Sequence, residues 1–253
     1  MLPQVASDAT LWCLDHVARK LVTLGVSANT VSMLGVGVAA MGGAFLSLGY
    51  FGLAALAMVA ASLGDALDGL VARRSGCASV SGALLDASVD RYEEFFFLSG
   101  LAIFFRESVL VLVLALAALA GSFMVSYGSA KAESLSMPVP PSAMRRPERA
   151  VCLCAGVAMV VPLGWLAHHF ALPAWIAHAP PVGALAIIGV VANVSAVRRL
   201  RLLGRAMPEA LGDARTGGPA RSSHPRVSRR SGSQTKAAPE AGVDLRGPVP
   251  KRP

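Results

Sequence analysis

Charge is what this 253-residue sequence has least of. Asp, Glu, Lys and Arg make up 15% of it, against about 25% in ordinary soluble domains. Apolar residues reach 54% and the mean hydropathy is +0.57. A soluble globule is therefore excluded, and so is a chain disordered throughout, which would be poor in apolar material. Cysteine is scarce too. Cys13, Cys77, Cys152 and Cys154 form no CxxC pair, so neither a disulfide framework nor a thiolate metal site is expected, and they read as small apolar residues of helices. No cleavable signal peptide is expected, because the first long apolar stretch starts near Asn29 and far exceeds a signal h-region. What is left is an integral membrane protein.

The net charge of +8 is unevenly placed. Residues 198–253 hold 13 Lys/Arg against 4 Asp/Glu, and residues 1–197 hold 10 against 11. The basic character belongs to the tail, where anionic lipid headgroups are a simpler partner than nucleic acid. From Pro208 onward the tail has seven prolines, six glycines and no aromatic residue. It cannot bury a core, and disorder is expected over 207–253.

Long runs without a charged residue mark the spans. Thr30–Gly64 is 35 residues, Ser108–Ala130 is 23 and Ala150–Val197 is 48, whereas one crossing needs about 20. The first run turns at Gly49–Gly52 and its second helix must continue into the charged segment Asp65–Arg74. The last run divides around Pro173–Pro181. With the stretch Val80–Phe105 this gives six spans, near 30–49, 53–74, 80–105, 108–134, 149–170 and 176–198. Lys/Arg placement agrees with this count. Arg19, Lys20, Arg73, Arg74, Lys131, Arg145, Arg146, Arg149, Arg198, Arg199, Arg201 and Arg205 all fall on one side of six helices, and Arg106 falls alone on the other. Both termini are expected to be cytoplasmic. Residues 8–24 space Leu11, Leu14, Val17, Ala18 and Leu21 as one apolar face, which predicts an N-terminal helix lying on the interface. The predicted fold class is thus an all-α integral membrane protein of six transmembrane helices plus an interfacial amphipathic helix. Its parts are an N-terminal segment 1–28, a six-helix domain 29–206 and the tail.

Four aspartates stand where a bilayer disfavours them. Asp65 and Asp68 are three apart near the end of span two, and Asp86 and Asp90 are four apart at the start of span three, so each pair shares a helix face. A reversal over Arg74–Ser81 brings the pairs together at the cytoplasmic edge. Two such charges about 6 Å apart repel by roughly 3 kcal/mol at an effective dielectric near 20. Protons or cations must relieve that repulsion, and all-oxygen ligands suit Mg²⁺ or Mn²⁺ rather than zinc. Two bound ions would suit a pyrophosphate substrate. Gly69 and Gly82 leave room for close approach, and Arg73 can pair with phosphate.

The full pattern, Asp65-x2-Asp68-Gly69-x2-Ala72-Arg73-x8-Gly82-x3-Asp86-x3-Asp90, resembles the signature of the CDP-alcohol phosphotransferases at all eight fixed positions. The resemblance covers about residues 8–205. It implies transfer of a phosphatidyl group from a CDP-linked lipid, CDP-diacylglycerol, to an alcohol, with CMP as leaving group. It implies that Asp65, Asp68, Asp86 and Asp90 hold divalent metal and that Asp90 also deprotonates the acceptor hydroxyl. By the same resemblance Asp65, Asp68, Gly69, Ala72, Arg73 and Gly82 bind the CDP moiety, and the protein is a homodimer of the cell (inner) membrane with a cytoplasmic active site. A membrane metal-ion transporter is the non-enzyme alternative, but the spans show no paired discontinuous helices in matching halves.

Secondary motifs point to the acceptor. Leu85-Asp86-Ala87-Ser88-Val89-Asp90-Arg91 resembles the form found in inositol-phosphate-using members, with Ala87 in place of a usual Ser. Ser126-Tyr127-Gly128-Ser129-Ala130-Lys131-Ala132-Glu133 resembles the family's span-four motif, with Ser129 where Arg is common. Lys131, Arg146 and Arg149 are expected to form a basic patch that binds a small phosphorylated polyol. Inositol phosphate is the first expectation, and the departures at Ala87 and Ser129 keep glycerol 3-phosphate, as in phosphatidylglycerophosphate synthases, open. Ser27 or Asn29 is the expected N-cap of span one. Glu94 is expected to pair with Arg91.

Overall fold

The computed structural model describes residues 2–76 and 80–216, and every regular element among them is an α-helix. Cys77 lies outside the described residues, as do residues 217–253, which hold most of the tail expected to be disordered. The chain divides into a compact unit, Met1–Leu211, and a second unit, Gly212–Pro253; of the second only the end of one helix is described. The helices are α1 (Leu2–Thr23), α2 (Ala28–Ser47), α3 (Phe51–Arg74), α4 (Val80–Phe104), α5 (Val109–Ser134), α6 (Arg146–Ala158), α7 (Val160–His169) and α8 (Trp175–Thr216).

Five segments are long and apolar enough to cross a membrane: Ala28–Ser47, Phe51–Arg74, Val109–Ser134, Arg146–His169 and Trp175–Ala206. The chain is a multi-pass membrane protein. The remaining expected span, α4, has 25 residues, about 37 Å at 1.5 Å per residue. Its stretch up to Glu94 carries Asp86, Asp90, Arg91, Glu93 and Glu94, so hydropathy alone does not support a crossing there.

Local chemistry explains the boundaries. Ser27 caps α2, its Oγ accepting from the Thr30 amide at 3.2 Å. Gly49 ends the same helix with φ +83°, a conformation that favours glycine. It lets the Tyr50 amide close back onto the Phe45 carbonyl at 2.8 Å. Pro162 has no N–H for the Ala158 carbonyl, and the fifth span accordingly breaks at Met159 into α6 and α7. The last helix begins at Trp175, inside the break expected over Pro173–Pro181. It runs to Thr216, past the 206/207 boundary expected for the tail.

Small residues set the packing. A Cβ on Gly100 of α4 would stand 2.3 Å from the Gly43 carbonyl oxygen of α2, so the two backbones touch where neither residue carries a side chain. Leu46, Met58, Leu98, Leu101, Leu185 and Ile188 fill the core around this contact. Leu110, Val113, Leu116, Val190 and Val194 stay exposed, as lipid-facing positions should. The N-terminal helix docks on the end of α3. Ala18 is fully buried, and Asp15 pairs with Arg19 at 2.6 Å and with Arg74. These hydrogen bonds, first that from Arg19 and then that from Arg74, hold the Asp15 carboxyl below its usual range.

Candidate active site

The last turns of α3 and the first half of α4 bring their acids to one end of the bundle. Asp65 of the first pair and Asp90 of the second both lie against one guanidinium, that of Arg146, so α3 and α4 carry one member of each pair to a common neighbour. Asp68 is 5% exposed and accepts a 2.5 Å hydrogen bond from Ser32 Oγ of α2. Ser32 therefore fixes one aspartate from a third helix. Asp86 stays exposed. Arg73 lies over Gly69, where an added Cβ would stand 3.4 Å from its guanidinium. Gly82 lies in the first turn of α4, one helix turn before Asp86.

Arg146, at the start of α6, sits among these acids. Its Nη2 donates to Asp65 Oδ2 at 2.6 Å and to Glu93 Oε2 at 2.9 Å. Its Nη1 lies 2.7 Å from Asp90 Oδ1 but off the N–H direction, so that contact is an ion pair without a hydrogen bond. One guanidinium thus faces three carboxylates. Asp65 Oδ1 and Glu93 Oε1 are buried with no hydrogen-bond partner, and Glu93 is 4% exposed against α2, where a Cβ on Gly35 would meet its Oε1 at 3.0 Å. Among the described residues no three Asp, Glu, His or Cys side chains converge on a single point close enough to hold one ion as they stand.

Arg149, one turn on, is 2% exposed. It grips Glu94 bidentately at 2.7 and 2.9 Å and donates to the Met144 carbonyl at 3.2 Å. This corrects the expected Glu94–Arg91 pair: Arg91 donates instead to the Ala87 carbonyl. The bidentate fork of Arg149 offers two aligned donors, which a neighbour on the same helix rim cannot match.

Three cavities meet at Arg146. The largest, about 500 Å³, runs between α3, α4 and α6, with Asp65, Glu93 and Arg146 at one end and Met58, Leu98 and Ile188 at the other. A second, about 340 Å³, is lined by Arg145, Arg146, Arg149, Arg199, Ser126 and Ser129. A third, about 240 Å³, joins Asp90 and Glu94 to Ser126 and Glu133. Lys131 is exposed on the last turn of α5 and lines none of the three.

Sequence reasoning missed Arg199 at this cup. It is 5% exposed, donates to the Val125 carbonyl at 2.9 Å and to Ser129 Oγ, and leaves Nε without a partner. No acid lies within ion-pair distance of it among the described residues. Its signal was present. The buried positions of α8, Leu185, Ile188, Ala192, Ala196 and Leu203, form one helical stripe, and Arg199 falls on it. An arginine on a core stripe asks for a partner.

The comparisons agree with the motif. The sequence pattern of the family described as CDP-alcohol phosphatidyltransferase matches residues 25–194. The phosphatidylinositol phosphate synthase of Streptomyces avermitilis is 31% identical over 204 residues, 78% of this chain and 80% of that one. The enzyme of the same name from Mycolicibacterium smegmatis is 31% identical over 160 residues, 60% of this chain and 72% of that one. Among solved structures, the Mycobacterium tuberculosis phosphatidylinositol phosphate synthase with CDP-DAG bound superposes with a TM-score of 0.64 at 24% identity, covering 74% of this chain and 92% of that one. The same protein in complex with manganese and citrate gives the same TM-score and covers 87% of that chain. At that identity the likeness speaks for the fold.

Proposed function

This chain is a member of the CDP-alcohol phosphatidyltransferase family, and we propose that it moves the phosphatidyl group of CDP-diacylglycerol onto a phosphorylated polyol and releases CMP. The observation that carries this reading is the 500 Å³ groove with carboxylates at one end and Met58, Leu98 and Ile188 at the other. A substrate that fits it has a charged head and an apolar tail, which a free metal ion or a soluble nucleotide has not.

In the proposed reaction the acceptor oxygen attacks the phosphorus that carries the diacylglycerol, and the bond from that phosphorus to the CMP oxygen breaks. Asp90 takes the proton from the acceptor hydroxyl, which is otherwise a poor nucleophile. Arg73, lying over Gly69, would pair with the nucleotide phosphate, while Gly69, Ala72 and Gly82 leave space for the cytidine. Asp65, Asp68, Asp86 and Asp90 would hold divalent metal, Mg²⁺ or Mn²⁺ and two ions by the family's pattern. These donors fit such ions: all are carboxylates, and Asp65 Oδ1 and the neighbouring Glu93 Oε1 are buried without a partner. Metal bound there would neutralise charge gathering on the departing phosphate.

The acceptor is proposed to be inositol phosphate ahead of glycerol 3-phosphate. Arg199, buried and without an acid, shares one cup with Arg145 beside Arg146 and Arg149, whose forks are on carboxylates, and this favours an acceptor with its own phosphate. Lys131 would steer that anion from outside the cup. The Lys/Arg distribution supports six crossings with α4 as the third, α1 on the cytoplasmic interface, both termini cytoplasmic and the active site on that face of the cell membrane. Homodimerisation is taken from the family. The test is purified protein supplied with CDP-diacylglycerol and, separately, inositol phosphate, glycerol 3-phosphate, free inositol and serine. Phosphorylated acceptors should release CMP fastest. Preference for free inositol or serine would show that the arginine cup does not receive a phosphate.

A further inference from the structure

Arg146 is held by the acids yet borders all three cavities. We infer that its guanidinium is the built-in counter-ion of the metal site, displaced when divalent metal binds and thereby released to the phosphate cup. This rests on the metal reading above.

Three observations support it. First, Arg146 contacts Asp65, Asp90 and Glu93 at 2.6, 2.7 and 2.9 Å, which places a monovalent cation among carboxylates that a dication would also seek. Second, the acids do not converge on a common point among the described residues. Asp65 and Asp90 instead point at opposite arms of the fork, Nη2 and Nη1. Third, the grip is poorly satisfied. Asp65 Oδ1 and Glu93 Oε1 have no partner, and the Asp90 contact lacks a hydrogen bond. One positive charge against three carboxylates leaves an excess of negative charge, which a dication neutralises better.

Arg149 shows the contrast. Its fork is filled by a single carboxylate, Glu94, in bidentate geometry, so it has no reason to move. Arg146 stands one helical turn away and already lines the cup with Arg145 and Arg199. Its release would add a cation to that cup only when metal is in place. Metal and acceptor phosphate would then bind with positive coupling, each strengthening the other by the same factor. Phosphate would bind the cup more weakly while the acids lack metal.

The experiment measures metal, not turnover. Mn²⁺ is titrated into purified wild type and Arg146→Gln without lipid or acceptor, and free Mn²⁺ is read by electron paramagnetic resonance. Removing the competing cation should tighten Mn²⁺ binding by about tenfold or more. A second readout uses wild type alone: phenylglyoxal labelling of individual arginines, scored by mass spectrometry. Mn²⁺ should speed labelling of Arg146 severalfold and leave Arg149 slow, and inorganic phosphate added with Mn²⁺ should slow Arg146 again. Equal or weaker Mn²⁺ binding by a folded Arg146→Gln would overturn the inference. So would unchanged Arg146 labelling in wild type, which decides the matter if the variant does not fold. Should Mn²⁺ bind with Arg146 unmoved, the metal reading stands and only this inference falls. Should neither protein bind Mn²⁺, both fall.

Discussion

Removing the Arg149 fork should unseat the site. Arg149 is buried, with Nε and Nη2 at 2.7 and 2.9 Å from the two oxygens of Glu94 and Nη1 on the Met144 carbonyl at 3.2 Å. Arg149→Met keeps much of the side-chain volume and leaves the Glu94 carboxylate, 13% exposed, with no cation. Breaking a buried pair from one side costs about 3–5 kcal/mol. At roughly 2–4 °C per kcal/mol for a chain of this size, the apparent melting temperature in detergent should fall by roughly 6–20 °C. Glu94→Gln in the same chain should restore much of the loss, because the orphaned charge is gone. A double-mutant cycle should return a coupling of about 2–3 kcal/mol. The same geometry predicts that charge reversal, Arg149→Glu, is worse than Met, since it sets two buried carboxylates face to face. A loss under about 1 kcal/mol for Arg149→Met, or no recovery in the double variant, would refute the claim that this pair holds α6 to α4.

Other consequences test other parts. Asp90→Asn should abolish turnover while nucleotide binding survives in part, because the amide cannot take the hydroxyl proton; activity above about a tenth of wild type would remove Asp90 as base. Gly100→Ala should prevent stable folding, since its methyl would stand 2.3 Å from the Gly43 carbonyl oxygen; normal yield and melting would show that α2 and α4 do not meet there. Asp15 is held below the usual carboxylate range by Arg19 and Arg74. Its contribution to docking α1 is therefore complete above about pH 4, the ordinary aspartate value. It is lost as the pH falls through the lower folded value, so hydrogen exchange over residues 14–23 should quicken only below about pH 4. Loosening that began near pH 6 would point to another group.

Most of the architecture is written in runs of sequence. Charge-free stretches and their flanking Lys/Arg predict helices near 30–49, 53–74, 108–134 and 149–170, and the structure places α2, α3, α5 and the α6–α7 pair within a few residues of them. The single span expected over 149–170 leaves out the α6–α7 break, whose physical cause is the missing N–H of Pro162. The aspartates were legible because their spacing, 65/68 and 86/90, is local to one helix each. What joins them is not. Ser32 reaches Asp68 across 36 residues and Arg146 reaches Asp65 across 81, and no periodicity encodes such pairs. Glu93 and Glu94 are adjacent in sequence yet serve different arginines, because a 100° step around a helix points them at different neighbours. Arg199 reads as one more flanking charge until the stripe on which it lies is followed down α8.

Metal-dependent phosphatidyl transfer leaves two products that can be counted in one reaction. Purified protein in liposomes of CDP-diacylglycerol is given inositol phosphate and Mg²⁺ or Mn²⁺, and CMP and phosphatidyl product are counted together. Equal amounts of the two are expected, with both lost on thorough chelation and regained when either metal is restored. CMP release that persists undiminished in chelator, or CMP formed without a matching phosphatidyl product, would contradict metal-dependent transfer.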